Sequence, residues 1–162
     1  MAPHWYPLVE RGDAFLESAP FRYVHSVEIT APAERIWEVI TGDAWVRWVP
    51  GFTGVLWASP RPFGVGTVRE VKVLGVLSAR ERFFRWEEGR RYTFSTFAVS
   101  LPGLRHAAED WLIEPAPGGS RLTWTMAIEA RPLATPLLRA IRPVIRRVQR
   151  RALRAIQIHM GN

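Results

Sequence analysis

Four side chains with acid–base or ion-pairing chemistry stand in runs that otherwise alternate apolar and polar: Arg69, Glu81, Tyr92 and Glu109. Two carboxyls and a phenol brought to one place could move protons. An arginine beside them could grip an anion or neutralise a carboxylate. Whether they meet depends on register, because successive side chains of a strand point to opposite faces. If Leu77, Ala79 and Phe83 turn inward, Glu81 turns inward with them. The opposite register, with Arg80, Arg82 and Phe84 inward, also alternates. Trp111 and Ile113 inward carry Glu109 with them, and Val71 and Val73 carry Arg69. A carboxylate taken out of water needs a partner or a raised pKa, so Arg69 is the expected partner. The competing expectation is that these groups sit at strand ends and reach water. Glu81, Glu109 and Tyr92 are therefore candidate catalytic groups, with Arg82 beside them in one register, although their spacing compels no reaction.

Other chemistries find little support. There is no cysteine, which excludes disulfides, thiolate metal sites and cysteine nucleophiles. His4, His25, His106 and His159 are scattered, without a His-x-x-x-His pair or an acid-rich ligand spacing, so no metal site is expected. Gly64-Val65-Gly66 suits a strand entry better than a phosphate loop, and there is no Gly-x-Ser-x-Gly elbow. No cofactor is implied.

The elements that must position the four groups can be read from periodicity. A chain of 162 residues is one domain and can bury roughly 70% of its unfolded surface. Phe21–Thr30 alternates as a strand with Phe21, Tyr23, His25, Val27 and Ile29 inward. Pro32 suits the first helical position and Glu34 the first turn. Ile36, Trp37, Val39 and Ile40 form the apolar stripe of that helix. Gly42 is expected to end it in the left-handed conformation, and Asp43 to cap a second short helix carrying Trp45 and Trp48. Strands are expected over Thr53–Ser59, Gly66–Leu74, Leu77–Glu87, Arg91–Val99, Ala107–Pro115 and Ser120–Ala130, an antiparallel meander joined by Gly-rich turns. Residues 1–20 are irregular but too apolar for a free tail, with Trp5, Tyr6 and Phe15, so an extension packed on a domain of residues 21–162 is expected.

A last helix is expected from Pro136 to His159, with Thr135 as N-cap and Pro136 as first helical residue. It would span roughly 35 Å. Leu137, Leu138, Ile141, Val144, Ile145, Val148, Ala152, Ala155, Ile156 and His159 share one side, seven arginines the other. Pro143 predicts a kink. Eight of the 22 basic residues and none of the 15 acidic ones lie in residues 131–162, so almost all of the net charge of +7 sits there. Such a helix can meet an anionic surface weakly. Specific nucleic-acid binding is not expected, because no reading helix accompanies the charge. No run is apolar enough to span a membrane and the N-terminus has no secretory pattern, so a cytoplasmic protein is expected.

The segments ITAPAERIWEVI, WVRWVP, FGVGT, RERFFRWEEGRRYTF and GGSRLTWTM, in this order, resemble the START/SRPBCC helix-grip superfamily, in its polyketide cyclase/dehydrase-like branch. The likeness covers about residues 22–160. It implies an α+β fold in which a strongly curved antiparallel sheet, with the seven strands above, wraps a long C-terminal helix. Two short helices would lie between the first two strands, and a hydrophobic cavity between sheet and helix. In similar hormone receptors a glutamate in the same Glu-Arg-apolar context lines the pocket, which favours Glu81 inward. Those receptors have a gate where Leu74-Gly75-Val76 stands here. The implied ligand site comprises Trp45, Trp48, Arg69, Val71, Glu81, Phe83, Tyr92 and Phe94, together with Glu109, Trp111, Trp124, Met126, Ile141 and Ile145. The implied partner is a hydrophobic small molecule, held by a carrier or sensor. A cyclase or dehydratase is the alternative, and an interaction module using the basic helix a further one.

Overall fold

A computed structural model describes residues 1–161, so Asn162, the last residue of the domain expected over 21–162, lies outside the described residues. The elements are β1 (Tyr6–Pro7), α1 (Asp13–Ser18), β2 (Phe21–Ile29), α2 (Ala33–Ile40), a 3-10 turn (Ala44–Arg47), β3 (Phe52–Trp57), β4 (Val68–Val73), β5 (Leu77–Glu87), β6 (Arg91–Val99), β7 (Leu104–Ala116), β8 (Gly119–Ala130), α3 (Thr135–Ala140) and α4 (Arg142–Met160). The sheet runs β2-β8-β7-β6-β5-β4-β3, with every neighbour antiparallel. The seven strands form a curled half-barrel with the C-terminal helix against it, the helix-grip fold.

The topology has one long step. Strands β3 to β8 follow one another as antiparallel neighbours, with a longer loop over residues 58–67 between β3 and β4, but β2 and β3 are the two opposite edges. The chain between them must cross one end of the curled sheet, which is what α2 and the 3-10 turn do. Ile36, Trp37 and Ile40, one helical turn apart, are the buried face of α2. They join a core of Phe83, Tyr92, Phe94, Trp111, Leu122 and Trp124 from the sheet and Leu153, Ile156 and Met160 from α4. Each large side chain buried there contributes about 1.5–3 kcal/mol.

Helix ends differ in detail from the expectations. Pro32 is the residue before α2, in an extended conformation. Thr41 rather than Gly42 ends α2, and Gly42 does not take a positive φ. Its carbonyl instead accepts the indole N–H groups of Trp45 (3.1 Å) and Trp57 (3.2 Å). Thr135 lies inside α3, and its hydroxyl donates to the Arg131 carbonyl (3.1 Å) rather than capping the helix. Pro143 does more than kink. It has no N–H to give to Arg139, and α3 and α4 are separate helices meeting at Ile141. The strand expected from Ala107 begins at Leu104, which shortens the loop before it.

Residues 1–20 pack on the convex face. Tyr6 pairs with Val99 and Pro7 with Ala98, where β6 has parted from β7 beyond Ser95↔Ala108. The outward residues of β5 hold the segment down. Arg80 lies over the Trp5 ring (3.9 Å), Arg82 pairs with Glu10 (2.7 Å) and Arg85 with Asp13 (2.6 Å). Phe15 and Leu16 of α1 are buried against Ala108 and Ala127.

Candidate functional site

A cavity of about 420 Å³ lies between the concave face of the sheet and α3–α4. Its inner end is closed by Ile40, Trp45, Phe52, Trp124 and Ile156, and its outer part is lined by Leu74, Leu77, Leu101, Leu104, Leu137 and Ile141. That outer part is open enough that Leu74 is 60% exposed, Leu101 47% and Leu137 65%. A space of this size and lining is what small-molecule sites commonly have.

The polar groups form one band across the sheet. Arg69 of β4 is opposite Glu81 of β5, Glu81 is opposite Thr96 of β6, and Glu109 of β7 is opposite Phe94 of β6 and Met126 of β8. Glu81 faces the cavity, so the inward register of β5 is Leu77, Ala79 and Glu81. Arg82 points outward to Glu10 and takes no part in the site. The bulge at Phe83/Arg85, where Phe84 is the extra residue of β5, puts both Phe84 and Arg85 on the outer face.

Arg69 is 4% exposed and Glu81 6%. The guanidinium gives Nε to Glu81 Oε2 at 2.8 Å and Nη2 to the same oxygen at 2.7 Å. The rings of Phe94 (5.0 Å), Trp57 (5.1 Å), Phe83 (5.2 Å) and Tyr92 (5.7 Å) surround it. Burial alone would depress Arg69, but Glu81 and Tyr92 together outweigh this and raise it above the ordinary arginine value. Burial pushes the Glu81 carboxyl up while Arg69 pulls it down. Two short contacts to one guanidinium fit the ionised pair. Burial also raises the Tyr92 phenol far above its ordinary value, which keeps it protonated.

Glu109 is held differently. Its Oε2 accepts the indole N–H of Trp124 (3.1 Å) and, at longer range, of Trp111 (3.4 Å). Those two rings stack with centroids 4.5 Å apart. Burial, then the neighbouring Glu81 charge, push its carboxyl up to about 8, against the pull of Arg69 and the two indoles. Glu109 is thus mostly protonated at neutral pH. With Oε2 engaged, its proton belongs on Oε1.

Eleven of the residues expected to form the ligand site line the cavity: Arg69, Val71, Glu81, Tyr92 and Glu109 with Trp45, Trp111, Trp124, Met126, Ile141 and Ile145. Three do not. Phe83 and Phe94 are fully buried behind the wall, packed on Arg69 and on each other (5.2 Å). Trp48 follows the 3-10 turn and stacks on His159 at 3.9 Å, drawn outward by a ring that α4 presents on its exposed side. Sequence reasoning missed Gln149. It lies four residues after Ile145 and seven before Ile156, on the buried stripe of α4, but among arginines it carries no apolar signal. It is fully buried and lines the cavity. Its Nε2 donates to the carbonyls of Trp124 (3.0 Å) and Tyr23 (3.3 Å).

No group of histidine, cysteine or carboxylate side chains that could hold a metal occurs among the described residues, and none of their helices is long and apolar enough to cross a membrane.

Residues 20–161 match the family model described as polyketide cyclase / dehydrase and lipid transport. An uncharacterized protein of Mycobacterium tuberculosis is 37% identical over 153 residues, covering 94% of this chain and 92% of that one. The Zhui aromatase/cyclase of Streptomyces sp. R1128 superposes with a TM-score of 0.70 at 19% identity, over 86% of this chain and 93% of that one. A START superfamily protein of Mycobacterium smegmatis gives 0.66 at 15%, over 86% and 96%. At such identities the two structures share the fold alone, whereas the family model and the mycobacterial relative span nearly the whole sequence. The chain therefore belongs to the polyketide cyclase/dehydrase and lipid-transport family.

Proposed function

We propose that the protein binds a lipophilic small molecule reversibly in the cavity, as a carrier or sensor. The observation that carries this reading is the cavity itself: about 420 Å³, walled by aliphatic and aromatic side chains and open at one end. The polar band supports binding more than turnover. Glu81 is spent on Arg69, Tyr92 stays protonated and Arg82 is outside, so two carboxylates and a free base do not converge. Glu109 alone titrates near neutrality. A cyclase reading, which the aromatase/cyclase neighbour suggests, would rest on that one group.

Titration with the uncharged fluorophore N-phenyl-1-naphthylamine tests the binding reading. Saturable emission at one site per chain is expected, abolished in Ala107→Trp, which places an indole where Ala107 lines the cavity. Unsaturable emission, or equal emission from the variant, would count against it.

A second reading concerns how the ligand enters. Around the opening, Leu74, Val76, Leu101, Leu137 and Val144 are 47–67% exposed. Residues 72–79, 100–107 and 131–151, which supply this rim, contain no acid. Arg147 and Arg151 follow Val144 on the same side of α4. An apolar rim beside arginines suits contact with an anionic lipid surface, which would set the opening against the membrane.

A further inference from the structure

A second cleft, of about 460 Å³, lies where the end of α2, the loop over residues 58–67 and the β5–β6 turn meet. Among the described residues, none lines both this cleft and the cavity. Two opposite charges face it, Arg61 and Glu88, and both are exposed. Glu88 is held by indoles: its Oε1 accepts the Trp37 N–H at 2.9 Å and its Oε2 the Trp86 N–H at 2.7 Å. Arg61 is tied elsewhere. Its guanidinium lies 4.4 Å from the Phe63 ring centroid, and Nη2 donates to the Thr41 carbonyl at 3.4 Å. Trp57 stacks on Phe63 at 4.2 Å, so the guanidinium takes the ring's open face. Neither Arg61 nor Glu88 forms an ion pair among the described residues.

Opposite charges on one cleft would ordinarily close on each other. Here each is tied to other groups, and an exposed ion pair gains too little to break those ties. The two charges are therefore held apart beside aromatic ring surface. Phe63 and Trp86 are half-buried, and their rings stand at 75° with centroids 6.0 Å apart. Trp37 stands at 74° to Trp86, 5.2 Å away. Ring faces beside a carboxylate suit an ammonium group, a methylated one above all. A guanidinium suits a carboxylate. A lone cation would gain Glu88 but meet Arg61, and a lone anion would meet the reverse. An uncharged molecule would use neither. We propose that this cleft binds a compact zwitterion, a methylated ammonium joined to a carboxylate. The ammonium lies at Glu88 and the rings, the carboxylate at Arg61. The site is separate from the cavity, and its occupation does not depend on the binding reading above.

Titration with glycine betaine, followed by the indole N–H signals in heteronuclear NMR spectra, tests this. Trp37→Phe and Trp86→Phe assign the two reporting signals among the eight tryptophans. Both indoles bond Glu88, so both signals should shift along one saturable curve. The affinity should be roughly millimolar, because both charges are exposed. Tetramethylammonium and acetate, each carrying half of the ligand, should bind at least roughly tenfold more weakly. Glu88→Gln and Arg61→Gln should each weaken betaine binding roughly fivefold, while N-phenyl-1-naphthylamine binds both variants as it binds wild type. Tetramethylammonium binding as tightly as betaine, and tighter still in Arg61→Gln, would reveal a cation site that Arg61 competes for, and would overturn the proposal. So would shifts that do not saturate in wild type, or betaine affinity that neither variant changes. If Glu88→Gln does not fold, Arg61→Gln and the two half-ligands decide.

Discussion

Glu109 is the residue on which acid–base behaviour turns. Its ordinary pKa near 4.5 is raised to about 8 in the folded chain, first by burial and then by Glu81. The folded state therefore holds a proton that the unfolded state releases above about 4.5. The associated stability is fully present below that pH and is lost as pH rises through 8. Wild type should lose stability relative to Glu109→Gln between pH 5 and 8.5, by up to ~1.4 kcal/mol per pH unit. Urea midpoints of the two proteins at both pH values measure this; parallel changes would mean that Glu109 titrates as an ordinary carboxyl. The Arg69–Glu81 pair makes a separate prediction. Arg69→Met leaves a buried carboxylate without its partner and should cost ~3–5 kcal/mol in urea unfolding, whereas Arg69→Met with Glu81→Leu should recover most of that. A single variant as stable as wild type would contradict the burial of the pair. At this scale the sequence was informative about residue type: alternation turned Glu109 and Arg69 inward with their apolar neighbours, but it left two registers open at Glu81, between which only the family resemblance favoured one. It was silent about which oxygen meets which donor. Gln149 was invisible because a lone amide among arginines looks like surface until α4 is docked.

Elements tell a different story, since caps and turns depend on which neighbours arrive. Gly42 looked like a left-handed helix end, but its carbonyl is needed by two indoles, one of them from β3, a contact no local pattern announces. The reverse holds at the β4–β5 turn. There Leu74 (φ 52) and Gly75 (φ 70) both take the left-handed region, closed by Val76 N–H to the Val73 carbonyl at 3.1 Å. Asparagine or glycine is the usual residue at the first of these positions, and a branched apolar side chain there costs about 1–2 kcal/mol. Leu74 is exposed at the cavity opening, so packing does not repay that strain. Leu74→Asn should raise stability by about 1 kcal/mol while weakening cosedimentation with vesicles containing phosphatidylglycerol. A variant that is less stable than wild type would show that the leucine packs more than its exposure indicates. Pro143 is the clearest case of a local rule that acted as written: the missing N–H separates α3 from α4 and turns Leu137 toward the opening.

The whole molecule was legible in outline because order and spacing of strands, helices and tryptophans constrain the fold jointly. The crossing of α2 and the 3-10 turn from one edge of the sheet to the other, the curl that opens the cavity, and the seat of residues 1–20 on the convex face depend on contacts distant in sequence. The charge distribution acts at this scale too. With eight arginines and no acid in residues 131–162, vesicle binding should fall as salt rises from 50 to 500 mM, which compresses the Debye length to a few Å. Arg147→Gln with Arg151→Gln should weaken it at low salt without altering probe binding in the cavity. Vesicle binding that is insensitive to both would remove the membrane-contact reading and leave the cavity untouched.

Native mass spectrometry of freshly purified protein, with solvent extraction of whatever is released on denaturation, asks whether the cavity holds a molecule. A single apolar adduct is expected, at up to one per chain and chemically unchanged on release, present on wild type and absent from Ala107→Trp. An adduct that the filled variant carries equally would place the ligand elsewhere on the molecule and contradict the cavity as the binding site.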